Sequence, residues 1–324
     1  MNNAADQASA ARTNLAIVVP CFNEQEVLSE TCSRLVALLG RLRDIDKIST
    51  DSRIYFVDDG SADKTWSLIE GFIEAGMPVV GIKLSRNLGH QHALLAGLAT
   101  VHGDAIVSID ADLQDDVQAI EKMVDYYDKG FDIVYGVRKH RSADSLFKKL
   151  TAQIFYRIMG ALGASTIYNH ADYRLMSRRA VESLLGFREV NLFLRGIVPL
   201  IGYRSAVVEY ERLPRYAGES KYPLNRMLAL ALEAVTSFSV FPLRLISLLG
   251  LLVFVGAMGV TLWALWVALF TNEAIPGWAS VVLPMYFLGG VQLLALGVIG
   301  EYLGKLYIEA KARPRFIIEK ILGN

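Results

Sequence analysis

From residue 15 to about 210, short apolar runs alternate with longer stretches in which apolar positions recur at helical spacing. Leu15–Pro20, Ile54–Val57, Val79–Leu84, Ala105–Ile109 and Asp132–Tyr135 are rich in Val and Ile and too short for helices, so they read as strands. Segments near 24–41, 63–74, 90–101 and 117–129 read as the helices between them. Continuous apolar strands separated by helices predict an α/β domain, its sheet mostly parallel and covered on both faces. In such sheets ligands sit beyond the carboxyl ends of the strands. The residues just after each apolar run are therefore where chemistry is expected.

Farther along, the pattern changes. Leu245–Phe270 is a run of 26 residues without charge, long enough as a helix to span about 39 Å, against a hydrocarbon core of about 30 Å. Ala274–Gly300 is a second run, of 27 residues, with Pro276 near its start and Pro284 further in, so its helix is expected to begin late or kink. A buried core hairpin is the alternative, but two adjacent charge-free stretches of this length favour a membrane. The link Thr271–Gly277 has no Lys or Arg, whereas Lys221, Arg226, Arg244, Lys305, Lys311, Arg313, Arg315 and Lys320 flank the pair on its other side. The positive-inside rule then puts both termini in the cytoplasm and the link outside. Trp263, Trp266 and Trp278 cluster toward the outer end, as in an aromatic belt. Leu224–Phe241, apolar with sparse polar residues and closed by Pro242, suits a helix in the interface plane or one packed on the protein core.

Residues 1–14 are small and polar, lack the apolar core of a signal peptide, and read as a disordered lead-in. The expected organisation is this lead-in, a cytoplasmic α/β domain over 15–222, amphipathic juxtamembrane helices over 223–244, two transmembrane helices over 245–308 and a cytoplasmic tail over 309–324. Hydrophobic residues make up 53% of the chain and the mean hydropathy is +0.33, an excess located in the two apolar runs. Lys+Arg and Asp+Glu balance at 33 each, which argues against a broadly basic nucleic-acid binder. Two cysteines, Cys21 and Cys32, exclude a disulfide framework or a multi-cysteine zinc module.

The strand ends carry the polar residues. The first run ends in Pro20-Cys21-Phe22-Asn23-Glu24, the second in Asp58-Asp59-Gly60-Ser61, and the fourth in Asp110-Ala111-Asp112-Leu113-Gln114-Asp115. Neither G-x-G-x-x-G nor G-x-x-x-x-G-K-[ST] is present, which disfavours a dinucleotide dehydrogenase or a P-loop NTPase. Asp110 and Asp112 are hard carboxylates suited to Mg²⁺ or Mn²⁺, with Gln114 close enough to add an oxygen. An isolated D-x-D is most often a solvated turn; its place after a buried strand, beside a second acidic strand end, gives it weight here. Asp58 and Asp59 read either as helix-capping turn residues or as acceptors for a base N–H. The five histidines show no zinc-ligand spacing, and His90 reads as a capping or packing residue.

These residues fall in six ordered motifs: VVPCFNE (18–24), VDDGSADKT (57–65), LSRNLGHQHALLAGL (84–98), DADLQD (110–115), ADYRLMSRRA (171–180) and RYAGESKY (215–222). With them the chain resembles the family 2 inverting glycosyltransferases of the GT-A fold, and among these the polyprenyl-phosphate glycosyltransferases, kin of bactoprenol glucosyltransferase and dolichyl-phosphate mannose synthase. The resemblance runs from about Ala16 to Lys320. It implies a Rossmann-like catalytic domain, an interfacial helix region and two membrane anchors. It also implies transfer of a hexose, glucose from UDP-glucose by closeness, to undecaprenyl phosphate for cell-envelope glycan modification. GDP-mannose or a UDP-amino-sugar is the alternative donor. The protein would be a multi-pass inner-membrane enzyme, a homo-oligomer such as a tetramer, with no nucleic-acid partner.

By the same resemblance Pro20, Asn23, Glu24 and Asp58 or Asp59 match positions that hold the donor nucleoside, with Arg86 and Gly89 lining the donor site. Asp110, Asp112 and Gln114 match the Mg²⁺ or Mn²⁺ and diphosphate positions, Asp112 being counted with Asp172 as catalytic. Asp172 matches the carboxylate on the acceptor side. Arg138 matches an arginine that holds the acceptor phosphate, and Arg215, Ser220 and Lys221 a loop that closes over the phosphates. A lipid monophosphate is largely ionised near pH 7, its second pKa lying near ~6, so Asp172 acts either as a base or as an orienting group for a neighbour such as Arg174. Asp116, where Pro is common, and His90, where Lys is frequent, depart from the pattern and bear on donor specificity. A processive polysaccharide synthase is disfavoured, because none of the four Trp sits in Q-x-x-R-W. A catalytically silent membrane scaffold is disfavoured by the intact acidic strand ends.

Overall fold

The computed structural model describes residues 12–139, 170–189, 194–211, 241–270 and 278–323. The five expected strands are present as β1 (Leu15–Cys21), β2 (Arg53–Asp58), β3 (Val79–Leu84), β4 (Ala105–Ser108) and β5 (Ile133–Arg138). The four expected helices are α1 (Leu28–Asp44), α2 (Thr65–Glu74), α3 (His90–Thr100) and α4 (Ala119–Asp128). Three further strands, β6 (His170–Ser177), β7 (Ser205–Tyr210) and β8 (Ile318–Leu322), and two further helices, α5 (Arg178–Gly186) and α6 (Leu194–Leu200), complete the α/β unit. The strands make one eight-stranded sheet in the order β7-β5-β6-β4-β1-β2-β3-β8. Pairing is parallel except for β6, antiparallel to β4 and β5, and β8, antiparallel to β3.

Alternation along β1 separates the two faces of the sheet. Leu15, Ile17 and Val19 join a core with Leu35, Leu38 and Leu39 of α1 and Ile120 and Met123 of α4. Val18 points the other way, where α3 comes so close that a Cβ on Gly97 would lie 2.4 Å from Val18 Cγ1. Helix α1 buries Leu28, Thr31, Cys32, Leu35, Leu38, Leu39 and Leu42, the i, i+3, i+4, i+7 stripe of an amphipathic helix. Helix α5 starts at Ser177, whose hydroxyl accepts the Ala180 N–H at 3.3 Å.

The last strand changes the reading of the C-terminus. Within the expected tail, Ile318–Leu322 is an edge strand of the chain's own sheet, with Gly81 opposite Leu322 and Lys83 opposite Lys320. The Arg53 guanidinium donates to the Gly323 carbonyl at 3.0 Å, and Arg315 donates to the carbonyl of Phe187.

The described residues divide into two compact units, one holding β1–β8 and α1–α6, the other two long helices. These are α7 (Phe241–Phe270), 30 residues, and α8 (Trp278–Ala310), 33 residues. Helix α8 runs through Pro284 without ending there. Among the described residues one segment, Phe287–Ala310, is long and apolar enough to cross a membrane, with mean hydropathy 1.5 and none of it buried. The lead-in up to residue 11, the link Thr271–Gly277, most of the expected interfacial helix and the RYAGESKY loop lie outside the described residues.

Candidate active site

Sheet topology gathers the chemistry at one edge. Strands β1 to β4 end there; β5 and β7 do too, and antiparallel β6 begins there. That brings the DADLQD turn, Arg138, Asp172 and Tyr210 to the same side of the sheet as Asp58.

The turn after β1 is laced to the turn after β2. The Asn23 N–H donates to Ser61 Oγ at 3.0 Å, and Asn23 Oδ1 accepts the Ala62 N–H at 2.9 Å. The Glu24 N–H donates to Thr65 Oγ1 at 2.9 Å. Asn23 sits at φ 55, a left-handed conformation that Asn tolerates better than most residues. Pro20 is buried within β1, opposite Val57.

The adjacent aspartates part company here. Both Asp59 oxygens accept backbone N–H groups, from Leu88 and Gly89, each at 2.8 Å. Asp59 therefore holds the β3–α3 turn. The fully buried Asp58 takes the Ser61 N–H on Oδ1 at 3.3 Å, and its Oδ2 has no protein partner among the described residues. Burial raises the proton affinity of both carboxyls, against the hydrogen bonds they accept. Between them and the β3–α3 turn, Gly60 has φ +69, and a Cβ there would lie 2.7 Å from Arg86 C and Asn87 N. Only glycine lets these turns touch. Arg86 itself is exposed.

The DADLQD turn is held under backbone strain. Leu113 is buried yet sits at φ 56, a costly region for a bulky side chain, kept there by the packing around it. Asp112 Oδ1 accepts the Gln114 N–H at 3.2 Å. The Asp110 carboxyl is pushed up to about 6, by burial first and then by the charges of Asp115, Asp172 and Asp112, with His90 opposing. Asp115 is buried; its Oδ1 accepts from Arg138 Nη2 at 3.1 Å and from the Tyr210 hydroxyl, and its Oδ2 has no protein partner among the described residues. Arg138 Nε also donates to the Tyr210 oxygen at 3.1 Å.

Asp172 lies at the start of β6, 7% exposed at its side chain. Its Oδ1 accepts from Arg174 Nη2 at 2.6 Å, and its Oδ2 from Arg195 Nη2 at 2.9 Å and Nε at 3.2 Å. Burial alone would raise its pKa, but Arg195 and Arg174 outweigh it and hold the carboxyl far below the usual range. His90, in the first turn of α3, puts Nε2 3.4 Å from Asp110 Oδ1 and 4.0 Å from Asp172 Oδ2. It stands beside both carboxylates, whereas its sequence context suggested capping or packing.

Residues 16–185 match the family model described as Glycosyl transferase family 2. The chain belongs to that family and is a glycosyltransferase. It is 48% identical over 316 residues to the uncharacterized glycosyltransferase YkoT of Bacillus subtilis (strain 168), covering 96% of this chain and 92% of that one. It is 37% identical over 309 residues to the prophage bactoprenol glucosyl transferase homolog of Escherichia coli (strain K12), covering 95% and 99%. A solved glucosyl-3-phosphoglycerate synthase from Mycobacterium tuberculosis aligns at 18% identity and TM-score 0.44, over 69% of this chain and 78% of that one.

In this glycosyltransferase the expected donor-side residues Asn23, Glu24, Asp58, Asp59 and Gly89 come together around the β1, β2 and β3 ends, and Asp110, Asp112 and Gln114 share one turn. Arg138 is at the same edge, tied to Asp115 and Tyr210. Arg215, Ser220 and Lys221 lie outside the described residues. Sequence reasoning missed Arg195, Tyr210 and the pairing role of Asp115. The available signals were a lone cation in the apolar run Leu192–Leu200 and a tyrosine closing a strand.

Proposed function

We propose that this glycosyltransferase moves glucose from UDP-glucose to undecaprenyl phosphate at the cytoplasmic face of the inner membrane, with inversion, giving a lipid-linked sugar for cell-envelope glycan modification. The observation that carries this is the near full-length likeness to proteins named bactoprenol glucosyl transferase. Helices α7 and α8 serve as the membrane anchor in this reading, both chain ends lying in the cytoplasm.

The DADLQD turn fits a hard divalent cation. Burial first, and then the charges of Asp115, Asp172 and Asp112, raise the proton affinity of Asp110, and Asp115 keeps a buried oxygen without a protein partner among the described residues. Among the described residues no three His, Cys, Asp or Glu side chains form a complete metal cage. Asp110, Asp112 and Gln114 would hold Mg²⁺ or Mn²⁺ together with donor phosphate oxygens, the habit of ions that dehydrate reluctantly. Such an ion supplies neutralisation of the charge that builds on the leaving diphosphate.

The chain's own residues do the rest. Asp58 offers its partnerless oxygen to a base N–H, while Asp59 fixes the turn carrying Gly89 beside the donor. Asp172, stabilised by two guanidinium groups, is a weak base, and an ionised lipid phosphate needs none. Its part is to orient the cations beside it. The deciding experiment incubates membranes containing the protein with radiolabelled UDP-glucose and extracts the lipid. Label is expected in the lipid fraction and is lost with EDTA. Label from GDP-mannose or a UDP-amino-sugar alone would replace the donor, and no lipid label from any donor would sink the reading.

A further inference from the structure

Two cations of the described site stand in different states. Arg138 is 20% exposed, with Nε and Nη2 committed to Tyr210 and Asp115. Arg195 is 44% exposed, and both of its bonded nitrogens converge on one oxygen, Asp172 Oδ2. Nη1 of Arg195 has no partner among the described residues. The other Asp172 oxygen is taken by Arg174, which is 1% exposed and sealed in the core. Asp172 is thus braced on one oxygen by a buried arginine and holds a second, partly exposed arginine on the other.

The support continues around Arg195. Its own helix is pinned to α3, where Gln91 Oε1 accepts the Leu194 N–H at 3.1 Å. Asp172 is fixed in turn through its backbone, its carbonyl accepting the Ser108 hydroxyl at 2.6 Å. Burial and the charge of Arg138 favour loss of the Arg195 proton, but Asp172 and then Asp110 more than offset them, so the guanidinium is held charged. A guanidinium fixed at one edge, with donors left over, is suited to a phosphate oxygen pair.

We propose that Arg195 is the cation that receives the phosphate monoester of the acceptor, and that Asp172 is its positioning residue. This rests on the proposed function for the identity of the acceptor. In the proposed function the donor diphosphate has the cation that the DADLQD turn would hold; among the described residues Arg138 is largely spent on Asp115, which leaves Arg195 for the lipid monophosphate.

The test compares the full-length wild type with Arg195→Gln and Arg195→Lys in detergent. Farnesyl phosphate binding is measured by calorimetry with UDP and Mn²⁺ present. UDP-glucose binding and steady-state transfer to undecaprenyl phosphate are measured alongside. Arg195→Gln is expected to weaken farnesyl phosphate binding and raise the acceptor KM by about 10- to 100-fold, as loss of a charge-assisted hydrogen bond does. UDP-glucose affinity should stay within about twofold, and Arg195→Lys should recover part of the loss. Unchanged farnesyl phosphate binding in Arg195→Gln overturns the proposal, as does a loss confined to UDP-glucose. If the wild type binds farnesyl phosphate through Arg195 but transfers no sugar to undecaprenyl phosphate, the proposed function fails and the phosphate site stands. If the wild type does not bind farnesyl phosphate, both fall. For Asp172, Asp172→Asn should reproduce the rise in acceptor KM while leaving kcat at saturating acceptor within a few-fold. A collapse of kcat with KM unchanged makes Asp172 the base and removes its positioning role. Should Asp172→Asn fail to fold, because Arg174 loses its buried counter-charge, Arg195→Lys carries the same split.

Discussion

Neighbouring aspartates in this chain have opposite duties, and single substitutions separate them. Asp59 accepts two backbone N–H groups, so Asp59→Asn turns an NH₂ toward one of them. It is expected to cost about 1–3 kcal/mol of stability, read as a lower thermal midpoint. Asp58→Asn disturbs one weak bond and should keep the fold while lowering UDP-glucose affinity by calorimetry. Equal stability losses in the two variants would contradict this division. Asp112 is partly exposed and lies in a turn whose shape is set by buried Leu113. Asp112→Ala should therefore leave the melting curve nearly unchanged while transfer falls on the order of a thousandfold. Wild-type rates in that variant would remove the metal assignment.

At the level of elements, β5, β6 and α5 are joined by one buried carboxylate. Asp132 accepts Arg179 Nε and Nη2, both at 2.5 Å, and the Ser177 hydroxyl at 2.9 Å. The Arg179 hydrogen bonds, helped by Ser177, outweigh burial and hold its pKa below the usual carboxylate value. A carboxyl that binds its proton less readily folded than unfolded adds stability that is complete above its unfolded pKa, near ~4. That stability is lost as pH falls through the lower folded value. Stability of the wild type should thus fall below pH ~4 more steeply than that of Asp132→Asn, measured by urea midpoints across the acid range. Parallel curves would show that the pair contributes nothing to acid sensitivity.

For the whole molecule, the return of the chain after α8 is the consequential feature. Strand β8 covers the β3 edge, so removing residues 314–324 uncovers a row of backbone donors and acceptors. That truncation should lower the thermal midpoint by roughly 5 °C or more and promote aggregation, followed by scattering; an unchanged midpoint would make β8 dispensable. Local patterning determined much of this protein. Each of β1 to β5 is an apolar run bounded by polar turns, α1, α2 and α4 carry their own periodicity, and the acidic strand ends advertise themselves by composition. These features depend on neighbours within a few residues, which is the range over which sequence acts directly. What tertiary structure alone decided is of another kind. The strand β8 is a short, mixed segment that is a strand only because β3 offers it an edge. Asp58 and Asp59 are indistinguishable until the Leu88 and Gly89 amides arrive from another turn. Asp172 becomes a brace for Arg195 only when β6 runs antiparallel beside β4 and α6 folds back onto it, because a carboxylate takes its role from the charges brought within hydrogen-bond reach, and Arg195, unlike Arg174, comes from 23 residues along the chain.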